Sequence, residues 1–145
     1  MSTVRGSAVR LVDTSAWIEL FRRPQRLALD DFGPAGQLVT CLPVVQEVLQ
    51  GFDDERAFAI AQSALTALPC VDAPLGSDAV ERAVQIYRQA RRAGVTIRSS
   101  VDSLIAASAL RHGLTVVHCD RDFAAISRVT GLRHLDLSRR LTRQN

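Results

Sequence analysis

The sequence predicts an α/β fold of three layers, with a mainly parallel sheet and helices on both faces. Three observations predict it. Short apolar runs at 9–12, 37–41 and 114–119 alternate with segments whose apolar residues recur at the helical period. Glycines and prolines punctuate the joins. Two of the runs end on aspartates, Asp13 and Asp120, at the place where parallel strands present ligand-binding groups.

Taken in order, Val9, Leu11 and Val12 suit a buried strand. Asp13 and Thr14 can cap the helix carried by Trp17, Ile18 and Phe21. Residues 22–36, broken by Pro24, Gly33 and Pro34, read as a loop enclosing one short helix. After the strand at 37–41, Pro43 opens a helix that Gly51 stops. Asp53 or Asp54 caps the next helix, whose apolar face runs from Ala57 through Phe58, Ile60, Ala61, Ala64 and Leu65 to Leu68. A brief strand at 70–72 follows, and Asp78 with Glu81 resembles a capping box for a helix ending at Gly94. Ser100 caps a helix apolar on most sides, hence buried, which Gly113 ends. The strand at 114–119 leads to a short helix stopped by Gly131, and 133–137 makes a last strand. Residues 1–137 therefore form one domain, and the basic tail 138–145 is too poor in apolar residues to be expected to fold.

With 145 residues the chain buries enough surface to need no staple. Cys41, Cys70 and Cys119 are odd in number and widely spaced, which argues against a disulfide framework or thiolate zinc site and reads as buried thiols in a reducing compartment. The start MSTVRGSAVR lacks a signal peptide's apolar core, and no run approaches membrane-spanning length, so a cytoplasmic protein is expected. All 18 basic residues are arginine. That is either a compositional bias or a suitability for phosphate, in keeping with a pI near 9.2.

Asp13 and Asp120 end strands, Asp102 opens a buried helix, and Glu47 interrupts an apolar helical stretch, so all four can face one end of the sheet. Carboxylates held together repel one another unless a cation sits among them. An all-oxygen donor set selects Mg²⁺, or Mn²⁺ in its place, rather than zinc. Each acid has a plainer reading: Glu47 on a solvent face, Asp102 as a favourable first-turn charge, and Asp122 as the cap of the helix after Asp120. His112, His118 and His134 are scattered and read as non-catalytic.

VDTSAWIE, PVVQEVLQG, SSVDSLIAASAL and CDRDF, in that order and spacing from about Val9 to Leu137, resemble the four acidic motifs of PIN-domain ribonucleases of the VapC toxin type. The resemblance implies a sheet with the first strand central and metal-binding, catalytic roles for Asp13, Glu47, Asp102 and Asp120, with Asp122 as a fifth acid. It departs at His118, where such proteins often carry a hydroxyl residue. It further implies Mg²⁺-dependent hydrolysis of RNA by a metal-activated water, leaving 5′-phosphate and 3′-hydroxyl ends. Thr14 or Ser15 would hold that water, and Arg98, Arg111 and Arg121 would contact flanking phosphates. The partners implied are a VapB-like antitoxin and a second copy of the chain. A phospho-receiver or a haloacid-dehalogenase-like phosphatase would use a lysine, and the chain has none. The alternative is a non-catalytic PIN-like module that binds RNA or a protein partner.

Overall fold

The computed structural model describes residues 9–142. The start of the chain and residues 143–145 of the tail, both part of the expectations above, lie outside them.

Five parallel strands form one sheet in the order β3-β2-β1-β4-β5: β1 (Arg10–Val12), β2 (Leu38–Cys41), β3 (Cys70–Val71), β4 (Thr115–His118) and β5 (His134–Asp136). β1 is central, with Leu11 opposite Val39 of β2 and Val116 of β4. Leu11, Val12, Val116 and Val117 are wholly buried, which is why these strands read as continuous apolar runs rather than alternating ones. The helices are α1 (Thr14–Arg22), α2 (Leu42–Leu49), α3 (Glu55–Thr66), α4 (Ser77–Arg92), α5 (Ser100–His112), α6 (Arg121–Thr130) and α7 (Ser138–Thr142). α1, α2 and α3 pack in series, while α4, α5 and α6 pack on one another. Strand order runs one way from β1 to β2 and the other way from β4 to β5, so right-handed crossovers place the two sets on opposite faces.

Trp17 locks the first layer: it is buried on α1 and meets Phe32 edge-on at 5.3 Å. The segment between α1 and β2 contains two 3₁₀ turns, Leu29–Phe32 and Ala35–Gln37, where one short helix was expected. Gly113 and Gly131 end α5 and α6 at φ +63° and +75°, the left-handed conformation that a glycine adopts without cost.

Several expectations are corrected. Asp54 is the cap of α3, its side chain accepting from Ala57 N–H, and Ile60 is 58% exposed because it lies off the face that Ala61 and Leu65 bury. α4 begins at Ser77 after Gly76, so Asp78 and Glu81 form no capping box. Ser99, not Ser100, precedes α5. Cys70 is exposed, since β3 is the edge strand, whereas Cys41 is buried. The expected unstructured tail is helical over Ser138–Thr142. Asp136 caps the turn by accepting from Ser138 N–H at 2.9 Å, Leu141 packs against the core, and Arg26 donates to the Leu141 carbonyl at 2.8 Å. One leucine and one cap sufficed, where composition alone predicted none.

Candidate metal centre and active site

β1 and β4 are neighbours whose chains leave in opposite directions, which opens a crevice at their carboxyl ends. Asp13 follows β1 directly, and its backbone N–H bonds to the Val117 carbonyl at 2.9 Å. Its Oδ2 caps α1, accepting from Ser15 N–H at 3.0 Å and from Ser15 Oγ at 2.5 Å. Its Oδ1 is buried and has no hydrogen-bond partner among the described residues. Burial, opposed by the Ser15 bonds, raises the Asp13 carboxyl to about 6.

Ser15 Oγ also accepts from Cys119 N–H at 2.9 Å, tying the end of β1 to the segment after β4. Glu47 is half-buried on α2, where Oε1 accepts from Thr14 Oγ1 at 2.8 Å. The two small hydroxyl residues therefore hold carboxylates in place.

Asp102 lies buried in the first turn of α5, where the helix dipole favours its charge. Desolvation is the largest perturbation, and Asp13, Asp120, Asp122 and Glu47 add repulsion, raising Asp102 to about 8. Asp120 is the cap of α6: its Oδ1 accepts from Asp122 N–H at 2.9 Å. The capping role expected of Asp122 thus belongs to Asp120, because the helix begins one residue before Asp122. Asp122 is buried in the first turn and grips Arg98, whose Nε lies 3.2 Å from Oδ2 and whose Nη2 lies 3.1 Å from Oδ1. Arg98 Nη2 also stands 3.7 Å from Asp120 Oδ1.

All five acids, with Thr14, Ser15 and Arg98, line one cavity of about 400 Å³. Within it, Asp102, Asp120 and Asp122 each offer an oxygen within 4.8 Å of the others'. The tightest set therefore includes Asp122, which the sequence ranked last, while Asp13 and Glu47 stand in the same wall. An all-oxygen donor set, a buried Asp102 raised by desolvation and by its acidic neighbours, and one orphaned buried carboxylate oxygen together fit a hard divalent cation.

Two of the three arginines singled out do not line this cavity. Arg111 sits in the last turn of α5, 4.0 Å from Asp72, about 13 Å along the helix from Asp102. Arg121 is exposed at the start of α6.

His118 has a larger part than the sequence suggested. It is wholly buried, and its Nδ1 accepts the Asp120 N–H at 3.1 Å. Nε2 therefore carries the proton and donates to His134 Nδ1 at 2.9 Å. Desolvation lowers its pKa to about 4, keeping it neutral. Its place at the end of a buried strand, two residues before Asp120, was the available signal.

Residues 10–129 match the PIN domain family, and the chain belongs to that family. It is similar to ribonuclease VapC11 of Mycobacterium tuberculosis, 39% identical over 130 residues that cover 85% of this chain and 95% of the relative. Ribonuclease VapC51 of the same organism is 31% identical over 121 residues, covering 83% and 87%. In fold the chain is similar to the DNA-bound VapBC of Salmonella typhimurium, with a TM-score of 0.70 at 22% identity, covering 89% of this chain and 98% of that one.

Proposed function

We propose that this chain is a divalent-metal-dependent endoribonuclease and the toxin of a type II toxin–antitoxin pair. The observation that carries the reading is the convergence of five carboxylates in one cavity at the carboxyl ends of β1 and β4. Similarity to proteins named VapC ribonuclease supports it.

Asp102, Asp120 and Asp122 would hold the cation, and Asp13 and Glu47, in the same cavity, would add further carboxylates. When bound, Mg²⁺ or Mn²⁺ lowers the pKa of a water and neutralises charge building on the phosphodiester. The protein's own contribution is positional. Ser15 clamps Asp13, Thr14 clamps Glu47 and leaves its Oε2 available to accept a proton, and the backbone N–H of Asp122 fixes Asp120. Arg98 and Arg121, both exposed, supply guanidinium groups for RNA phosphates. The products are 5′-phosphate and 3′-hydroxyl ends.

The partners in this reading are a VapB-like antitoxin and a second copy of the chain, in the cytoplasm. An apolar groove between α4 and α5, where Val80 and Val84 are 45% and 53% exposed, is the kind of surface that a protein partner covers. Among the described residues no helix is long and apolar enough to cross a membrane.

The test is an assay on total cellular RNA with Mg²⁺, with Mn²⁺ and with EDTA, followed by end mapping. Cleavage with either metal that stops in EDTA supports the reading. Absence of cleavage under every condition would favour the non-catalytic module.

A further inference from the structure

Five carboxylates share the cavity with one guanidinium, and that guanidinium sits on the oxygens that a metal ion needs. Arg98 engages both oxygens of Asp122 at 3.1 and 3.2 Å and approaches Asp120 at 3.7 Å. Asp120 Oδ1 is further occupied by the Asp122 N–H. Of the three acids whose oxygens lie within 4.8 Å of one another, Asp122 is thus paired with a side chain of the protein itself and Asp120 shares the same positive charge at longer range. Arg98 comes from the link between α4 and α5, and its side chain is 56% exposed, against 12% for Asp122. The guanidinium is on the solvent side of the pair and the carboxylate on the buried side.

We propose that Arg98 is the resident counter-ion of the metal centre, holding Asp122 and Asp120 in the metal-free protein, yielding them to the incoming divalent cation and turning outward to take an RNA phosphate. The inference rests on the metal-nuclease reading above. A fork-shaped guanidinium takes one lone pair on each Asp122 oxygen and sets a positive charge beside the cluster, so Arg98 in this geometry competes with a metal ion for Asp122. Once displaced, the same fork suits a phosphate, and the long side chain stays at the rim of the cavity in which the acids lie. The exchange keeps the buried acids compensated in both states, which avoids the cost of leaving charges unpaired.

Mn²⁺ titrated calorimetrically into the EDTA-stripped wild type, Arg98→Gln and Arg98→Lys distinguishes the possibilities. Arg98→Gln removes the competitor and should bind Mn²⁺ roughly threefold to tenfold more tightly, the span of a largely exposed ion pair and the loss of a nearby positive charge. Arg98→Lys, which keeps a charge but not the fork, should fall between. At saturating Mn²⁺, Arg98→Gln should raise KM for RNA by a similar roughly threefold to tenfold factor. Equal or weaker Mn²⁺ binding by Arg98→Gln overturns the exchange and leaves the nuclease reading standing. If no form takes up Mn²⁺, both fall.

Discussion

Ser15 and Cys119 are joined across 104 residues of sequence by a 2.9 Å hydrogen bond from the Cys119 amide to Ser15 Oγ. The same hydroxyl donates to Asp13 Oδ2, so one side chain fixes the acid after β1 against the chain leaving β4. Ser15→Ala should strand the Cys119 N–H and cost about 1 to 3 kcal/mol. Urea unfolding measures the loss, and RNA cleavage should fall with it as Asp13 is freed. Unchanged stability would show that water replaces the hydroxyl.

Asp102→Asn separates catalysis from stability. It removes a buried acid that the metal-free fold must either ionise beside four others or keep protonated, while keeping the shape, so cleavage should be abolished. The metal-free fold should become more stable by roughly 0.5 to 2 kcal/mol. Mg²⁺ should raise the melting temperature of the wild type more than that of the variant, because a ligand bound only by the folded state stabilises it by mass action. A destabilised variant with a metal-insensitive wild type would contradict the cluster.

The pH dependence of the metal-free protein follows from the same group. Asp102 binds its proton more tightly in the folded state, at about 8 against 3.8, so its contribution is present at low pH and is lost as pH rises through 8. Asp13 acts in the same direction up to about 6. His118, lowered from 6.5 to about 4, acts the other way and loses stability as pH falls through that interval. Between pH 6.5 and 8 only the Asp102 effect remains of the three. Denaturation in EDTA should show wild-type stability declining across that window and Asp102→Asn staying flat.

Arg111 pairs with Asp72 at the far end of α5, away from the cavity. Arg111→Ala should leave the rate of RNA cleavage unaltered and cost ~0 to 1 kcal/mol of stability. A cleavage defect without a stability change would place RNA along the outer length of α5.

The three thiols should separate by reactivity. Cys70 is exposed, whereas burial raises Cys41 and Cys119 to about 12 and denies them thiolate character. A thiol reagent at neutral pH should label Cys70 first and Cys41 only on unfolding. Rapid labelling of Cys41 would indicate opening of the sheet at β2.

The sequence by itself determined the alternation of strands and helices and the end of each buried strand, and it marked Asp13, Glu47, Asp102 and Asp120 as candidates, because these readings depend on local periodicity and on an acid at an element's end or within an apolar stretch. The glycine stops at Gly113 and Gly131 were legible for the same reason. Tertiary structure decided which acid does what. Asp120 and Asp122 are two residues apart and chemically alike, and only the start of α6 makes the first a cap and the second the partner of Arg98. It also decided that Thr14 serves Glu47 across 33 residues and that His118 braces the Asp120 backbone from inside the core. Arg98 and Arg111 look equivalent in sequence, but one lies at the mouth of the cavity and the other beside Asp72, because Arg98 precedes α5 and Arg111 stands in its last turn. A hydrogen bond or ion pair needs two groups at one point in space, and the one-dimensional pattern specifies each group without specifying the meeting.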